Sequence, residues 1–155
     1  MPTKLNSIIL PDNLTNKMKV LLEETKISRL EHGFDVCSKN NDLIIRNVCR
    51  GTICSIELPQ GCETDERLVG DYHTHPRGPS IMSDSDMHVA CKLDFSCIGS
   101  SFFGRDRIKC LVRKSDTNSI DCQKDVIPEV KTDTRRFISN YKRLRDTYFR
   151  QIDIL

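Results

Sequence analysis

The chain has 155 residues, 37% of them hydrophobic, which suits one globular domain with a sizeable core and gives no sign of a second. Its 24 Lys and Arg stand against 22 Asp and Glu, a formal charge of +2 with no concentrated basic patch, so charge does not indicate a nucleic-acid binder. No apolar run approaches membrane-spanning length and no signal peptide is recognised, so a cytoplasmic protein is expected.

The eight cysteines (Cys37, Cys49, Cys54, Cys62, Cys91, Cys97, Cys110 and Cys122) include no C-x-x-C pair, which argues against a zinc ribbon. Most fall in apolar, strand-like segments, where a thiol behaves as a small hydrophobe. Reduced cysteines are therefore expected, with a disulfide-stapled chain as the alternative.

In chain order, an extended start at Ser7 to Leu10 precedes the helix-opening signal Pro11-Asp12-Asn13. Leu14, Met18, Leu21, Leu22 and Thr25 then recur at helical spacing, predicting a helix over about 12–29. Phe34 to Cys37 alternates like a half-buried strand. The turn signal Asn40-Asn41 returns Leu43 to Cys49 as its hairpin partner, and Thr52 to Leu58 adds a third strand. Arg67 to His73 reads as the next strand, about 84–94 as a helix, and Phe95 to Gly99 and Ile108 to Val112 as two further strands. From about 130 to 155, Phe137, Tyr141, Leu144, Tyr148, Ile152 and Leu155 repeat at steps of three or four, the pattern of an amphipathic helix packed on a sheet. Asp133, Asp146 and Asp153 dilute its basic residues, which marks a solvated face. The order predicts an α/β domain, a mixed sheet covered by helices.

The chemistry concentrates between residues 69 and 88. His73 and His75 stand two apart on the predicted strand, so both imidazoles leave the same face. Pro76, Gly78 and Pro79 stop the strand, and Ser83 to Asp86 opens a helix that can return a carboxylate to the histidines. Two His and one Asp leave a fourth tetrahedral position free, the arrangement of a catalytic zinc site. Ser83-x-x-Asp86 is also a helix-capping signature, and capping alone would explain those two residues. His88 and Asp84 are expected to point elsewhere on the helix, and His32 to face away from Glu31.

The string His73-Thr74-His75-Pro76, six intervening residues, then Ser83-Asp84-Ser85-Asp86 resembles the JAMM motif, H-x-H-P-x6-S-x-x-D, of the MPN-plus (JAB) zinc metalloproteases. The spacing agrees at every position, although Asp71 stands where a bulky aromatic is common. The order of elements is similar along nearly the whole chain to compact prokaryotic members. The resemblance implies a single MPN/JAB domain, a mixed curved sheet flanked by helices with a cytidine deaminase-like architecture, and one Zn2+ per chain held by His73, His75 and Asp86. It also implies an upstream glutamate base followed closely by glycine. Glu31 with Gly33 fits that pattern, ahead of Glu57, Glu63 and Glu66. Ser83 would then donate its hydroxyl to the oxyanion.

The implied activity is hydrolysis of isopeptide or peptide bonds after a ubiquitin-like modifier, the work of a deubiquitinase-like isopeptidase. Partners would be a ubiquitin-like or sulfur-carrier protein and an activating protein, with neither nucleic acid nor membrane. Two rivals stand beside it. Asp71-x-His73-x-His75 also looks like the opening motif of the PHP phosphoesterases, which carry it near the chain start and bind two or three metals with many further histidines. A non-catalytic MPN-type scaffold would bind a partner without chemistry.

Overall fold

The computed structural model describes residues 3–5, 8–50, 61–126 and 134–155. The expected strand Thr52 to Leu58, with Glu57, lies outside them. Among the described residues the elements are β1 (Thr3–Leu5), β2 (Ile8–Leu10), α1 (Asp12–Ser28), β3 (His32–Lys39), β4 (Asp42–Arg50), β5 (Arg67–His75), α2 (Asp84–Ala90), β6 (Phe95–Phe102), β7 (Arg105–Arg113), α3 (Ser119–Asp125), α4 (Thr134–Tyr148) and β8 (Phe149–Asp153). This is an α/β arrangement in which a mixed six-stranded sheet carries the order β4-β3-β5-β6-β7-β8.

The first helix forms where its apolar spacing predicts, burying Leu14, Met18, Leu21, Leu22 and Thr25 on one face. The β3–β4 hairpin turns through Asn40 and Asn41, whose φ values of 51° and 68° suit the primed turn that matches strand twist. The one parallel step of the main sheet, β5 to β6, is crossed by the short helix α2. Alternation along the strands divides the interior into two cores. Phe34, Val36, Tyr72, Cys97 and Cys110 meet α1 on one face, and Ile98 and Leu111 meet Met87, Tyr141, Leu144 and Phe149 on the other.

Two expectations are corrected here. The terminal helix does not run to residue 155: α4 ends at Tyr148, and Phe149–Asp153 pairs antiparallel with β7 as the edge strand. The spacing of Tyr148, Ile152 and Leu155 is compatible with a helix, but β7 would then leave its outer backbone groups without a ladder. As a strand, Phe149 enters one core while Ile152 and Ile154 pack against the other. The described cysteines are not reduced. Cys37–Cys62, Cys91–Cys122 and Cys97–Cys110 are bridged, Cys49 is also disulfide-bonded, and no described cysteine is free. The partners lie 25, 31 and 13 residues apart, with no local spacing to announce them. Cys97 and Cys110 become neighbours only through the β6–β7 register. The short helix α3 was not expected either; it is capped by Asn118, whose side chain accepts from the Ile120 and Asp121 amides. No helix among the described residues is long and apolar enough to cross a membrane.

Candidate metal centre

β5 lies between β3 and β6, with helices over both faces, and the two sides of its last turns have opposite characters. Towards α1, the Tyr72 hydroxyl donates to the Met18 carbonyl at 2.8 Å. Thr74, fully buried, lies 2.6 Å from the Thr25 hydroxyl and accepts from the His32 amide at 2.9 Å. His32 is buried on this side, its Nδ1 2.7 Å from the Leu30 carbonyl and 3.0 Å from Thr25 Oγ1. Towards the other face the strand presents Asp71, His73 and His75.

The donors converge on that second face. His73 Nε2 and His75 Nε2 are 3.2 Å apart, His73 Nε2 lies 3.3 Å from Asp86 Oδ1, and His75 Nε2 lies 3.4 Å from Asp86 Oδ2. In a tetrahedral zinc site with bonds of about 2.0–2.1 Å, neighbouring donors stand about 3.3–3.4 Å apart. The Asp86 contacts use a different oxygen for each histidine; one ligand atom from each of the three side chains lies within 4.8 Å of the others, close enough to hold one cation, and two imidazoles with one carboxylate suit zinc chemically. The side chains keep 14%, 20% and 11% of their surface exposed, so the group is recessed but reachable.

Local structure aims each donor. His75 Nδ1 lies 3.3 Å from the Pro79 carbonyl, and donating a proton there leaves Nε2 as a lone pair facing the centre. Asp86 closes a capping box: its carboxylate accepts from the Ser83 amide at 3.1 Å, and Ser83 Oγ accepts from the Asp86 amide at 3.1 Å. Capping and donor roles are thus compatible in one side chain. Loop residue Ser80 hydrogen-bonds Ser100 at 2.6 Å, seating the 76–83 segment on β6.

Glu31 immediately precedes β3. Gly33 is registered with His73, the last pair of the β3–β5 ladder, and Glu31 stands two residues before it. The half-buried Glu31 interacts electrostatically with His73, Asp86 and His75. Gly33 has a steric reason to be glycine, because a Cβ there would collide with the Tyr72 carbonyl oxygen and stand 3.1 Å from His73 Cβ. The Glu-x-Gly spacing thus becomes a close strand approach beside the first histidine. Of the alternative glutamates, Glu66 is paired with Arg46 at 2.6 Å and Glu63 approaches the same guanidinium at 3.6 Å.

Electrostatics follow from this crowding. Burial opposes ionisation of Asp86, but hydrogen bonds from His73 and His75 outweigh it and hold its carboxyl well below the usual range. Burial likewise disfavours a charged His73, yet the Asp86 carboxylate beside it raises its pKa to about 9. Glu31 is pushed up by burial, with Asp86 adding to the rise and the histidines opposing it. Asp71 is raised to about 6, chiefly by burial, and accepts a hydrogen bond from Ser96. A cation at the centre would take the place of the histidine proton.

Sequence reasoning missed the supporting groups. Thr74 looks like the variable middle of H-x-H, and only the strand's alternation could have assigned it to the α1 side. The Pro79 carbonyl carries no side-chain signal at all. Comparison with models of known families and with curated proteins gives no match.

Proposed function

We propose that the chain is a zinc-dependent metallopeptidase of the JAMM type, with an MPN-like curved sheet. It would hydrolyse isopeptide or peptide bonds after a ubiquitin-like modifier or a sulfur-carrier protein. The observation that carries the reading is the convergence of His73, His75 and Asp86: the two Nε2 atoms lie 3.2 Å apart, and each lies within 3.3–3.4 Å of one Asp86 oxygen.

His73, His75 and Asp86 would hold the ion, one per chain. Zinc so bound lowers the pKa of a water from ~15.7 towards ~7, which supplies a nucleophile at neutral pH. Glu31, which interacts electrostatically with His73, Asp86 and His75, would take the proton of the attacking water on its carboxylate and return it to the departing amine. Ser83 Oγ accepts from the Asp86 amide, so its own proton stays available to donate to the tetrahedral oxyanion. A protein partner that orders the flanking loops is compatible with this reading. A cytoplasmic setting requires a cell that sustains disulfides there, as some hyperthermophiles do.

The test is elemental analysis of the purified, tag-free protein beside Asp86→Ala. One zinc per chain, lost in the variant, supports the reading and directs a screen of ubiquitin-like conjugates. Two or three metals would favour the phosphoesterase, and none after reconstitution would leave a scaffold.

A further inference from the structure

The β6–β7 hairpin tip has no part in the chemistry above, yet it lies at the end of the sheet where the donors collect. β6 runs parallel to β5, His75 is registered with Ser100, and Ser100 with Arg107. These three positions form one row on the donor face, with Arg107 two strands, about 10 Å, from the His75 backbone. Two residues beyond Ser100 the chain presents Phe102 and Phe103, 42% and 90% exposed, with ring centroids 4.3 Å apart. Phe103 holds a φ of 52°, uncommon for a bulky residue, and keeps its ring in solvent.

Cations continue the row. Arg105, Arg107 and Lys109 alternate along β7 on the donor face, registered with Phe102, Ser100 and Ile98. None of the three makes an ion pair with a described residue. The basic residues of β3, β4 and β5 behave differently: Lys39, Arg46, Arg50 and Arg67 are each paired with a carboxylate. Asp106, the acid within the β7 run, is taken by Lys26 at 3.0 Å. Arg105 and Arg107, both exposed, repel each other at about 7 Å and gain most from an anionic surface brought against them, whereas Lys109 is half-buried and registered with Asp153 of β8. Exposed aromatics beside arginines are the composition of a protein-docking hot spot.

We propose that this tip docks the protein substrate, through a surface on which carboxylates surround an apolar patch. Phe103 is the anchor, and Arg105 and Arg107 meet the carboxylates. The substrate identity rests on the metallopeptidase reading, since a partner held here lies beside the donor triangle. An extended acidic segment repeats its same-face side chains at about 7 Å, which matches the cation spacing.

Fluorescence anisotropy tests this with a labelled twelve-residue peptide of alternating glutamate and leucine as the probe. Wild type and Asp86→Ala should bind it equally. Arg105→Glu combined with Arg107→Glu should weaken binding at least tenfold. Phe103→Ser, a change at an exposed side chain, should do so independently, which covers a charge-reversed chain that fails to fold. Lys19→Glu with Lys92→Glu, on exposed positions elsewhere, should leave binding unchanged. No binding by wild type, undiminished binding by both tip variants, or equal binding of a lysine and leucine peptide would overturn the proposal. Displacement of the probe by oligothymidine or by anionic phospholipid vesicles at lower concentration would also overturn it, in favour of those ligands. Peptide binding without zinc would reject the metallopeptidase and retain an acidic-protein docking site; zinc without peptide binding would do the reverse.

Discussion

The two sides of β5 are made from the same few residues and solve opposite problems. On the side facing α1, Gly70, Tyr72 and Thr74 are packed, hydrogen-bonded and uncharged. On the other, beside His75, burial penalises the charges of Asp71 and His73, and His73 is stabilised chiefly by the Asp86 carboxylate. The first side fixes where the strand lies, and that fixity lets the second hold a charged arrangement it could not assemble alone. Two histidines two apart are common; two held 3.2 Å apart need a strand whose back cannot shift.

Substitutions on the two sides should therefore fail differently. On the metallopeptidase reading, the largest effect expected is on the donor face, where Glu31→Gln should retain zinc yet lose 10²-fold or more in turnover, because the proposed base would be gone while the three proposed donors remain. Undiminished turnover at full zinc loading would remove Glu31 from that role. Gly33→Ala breaks the division between the sides, since its methyl pushes β3 off β5 next to His73. It should cost on the order of 1–3 kcal/mol in denaturant unfolding, as overpacking does, and weaken zinc binding with it. Loss of stability with zinc affinity intact would show that the strands can separate without moving the histidine.

Tyr72→Phe is the smaller change on the packed side. Loss of the hydrogen bond to Met18 should cost about 1 kcal/mol and leave zinc stoichiometry unchanged. The pH dependence sharpens the comparison further. In the metal-free protein the His73 pKa is raised from 6.5 to about 9, so its pairing with Asp86 stabilises the fold fully below pH 6.5. That stability is lost as pH rises through about 9. Zinc should accordingly release close to one proton from His73 when it binds near pH 7.5, read by calorimetry in buffers of different ionisation enthalpy. Zero protons released would contradict the pairing.

Much of this was legible in the sequence, for local reasons. Leu14 to Thr25 announced α1 through periodicity, and Asn40-Asn41 announced the hairpin because few residues accept two successive positive φ values. The donor candidates were legible because strand alternation and a helix cap are both short-range patterns. What remained hidden depends on distant parts of the chain. Phe149 to Asp153 is a strand only because β7 needs a neighbour, and the disulfides exist only because the fold brings remote cysteines together. Gly33 was quoted for its place after a glutamate, but its cause, a carbonyl on another strand, appears only in three dimensions.

Helix α2 is seven residues long, too short to persist on its own. Its first turn is tied by the Ser83–Asp86 box and would be tied again by a metal; its far end is tied covalently by Cys91–Cys122 and by Arg113 and Ser119 donating to the Cys91 carbonyl. With the proposed metal bound, the helix would be a rung clamped at both ends by fastenings of different kinds, one removable by a chelator and one not. Stripping the metal should therefore loosen it asymmetrically, with amide exchange quickening near Asp86 and staying slow at Cys91.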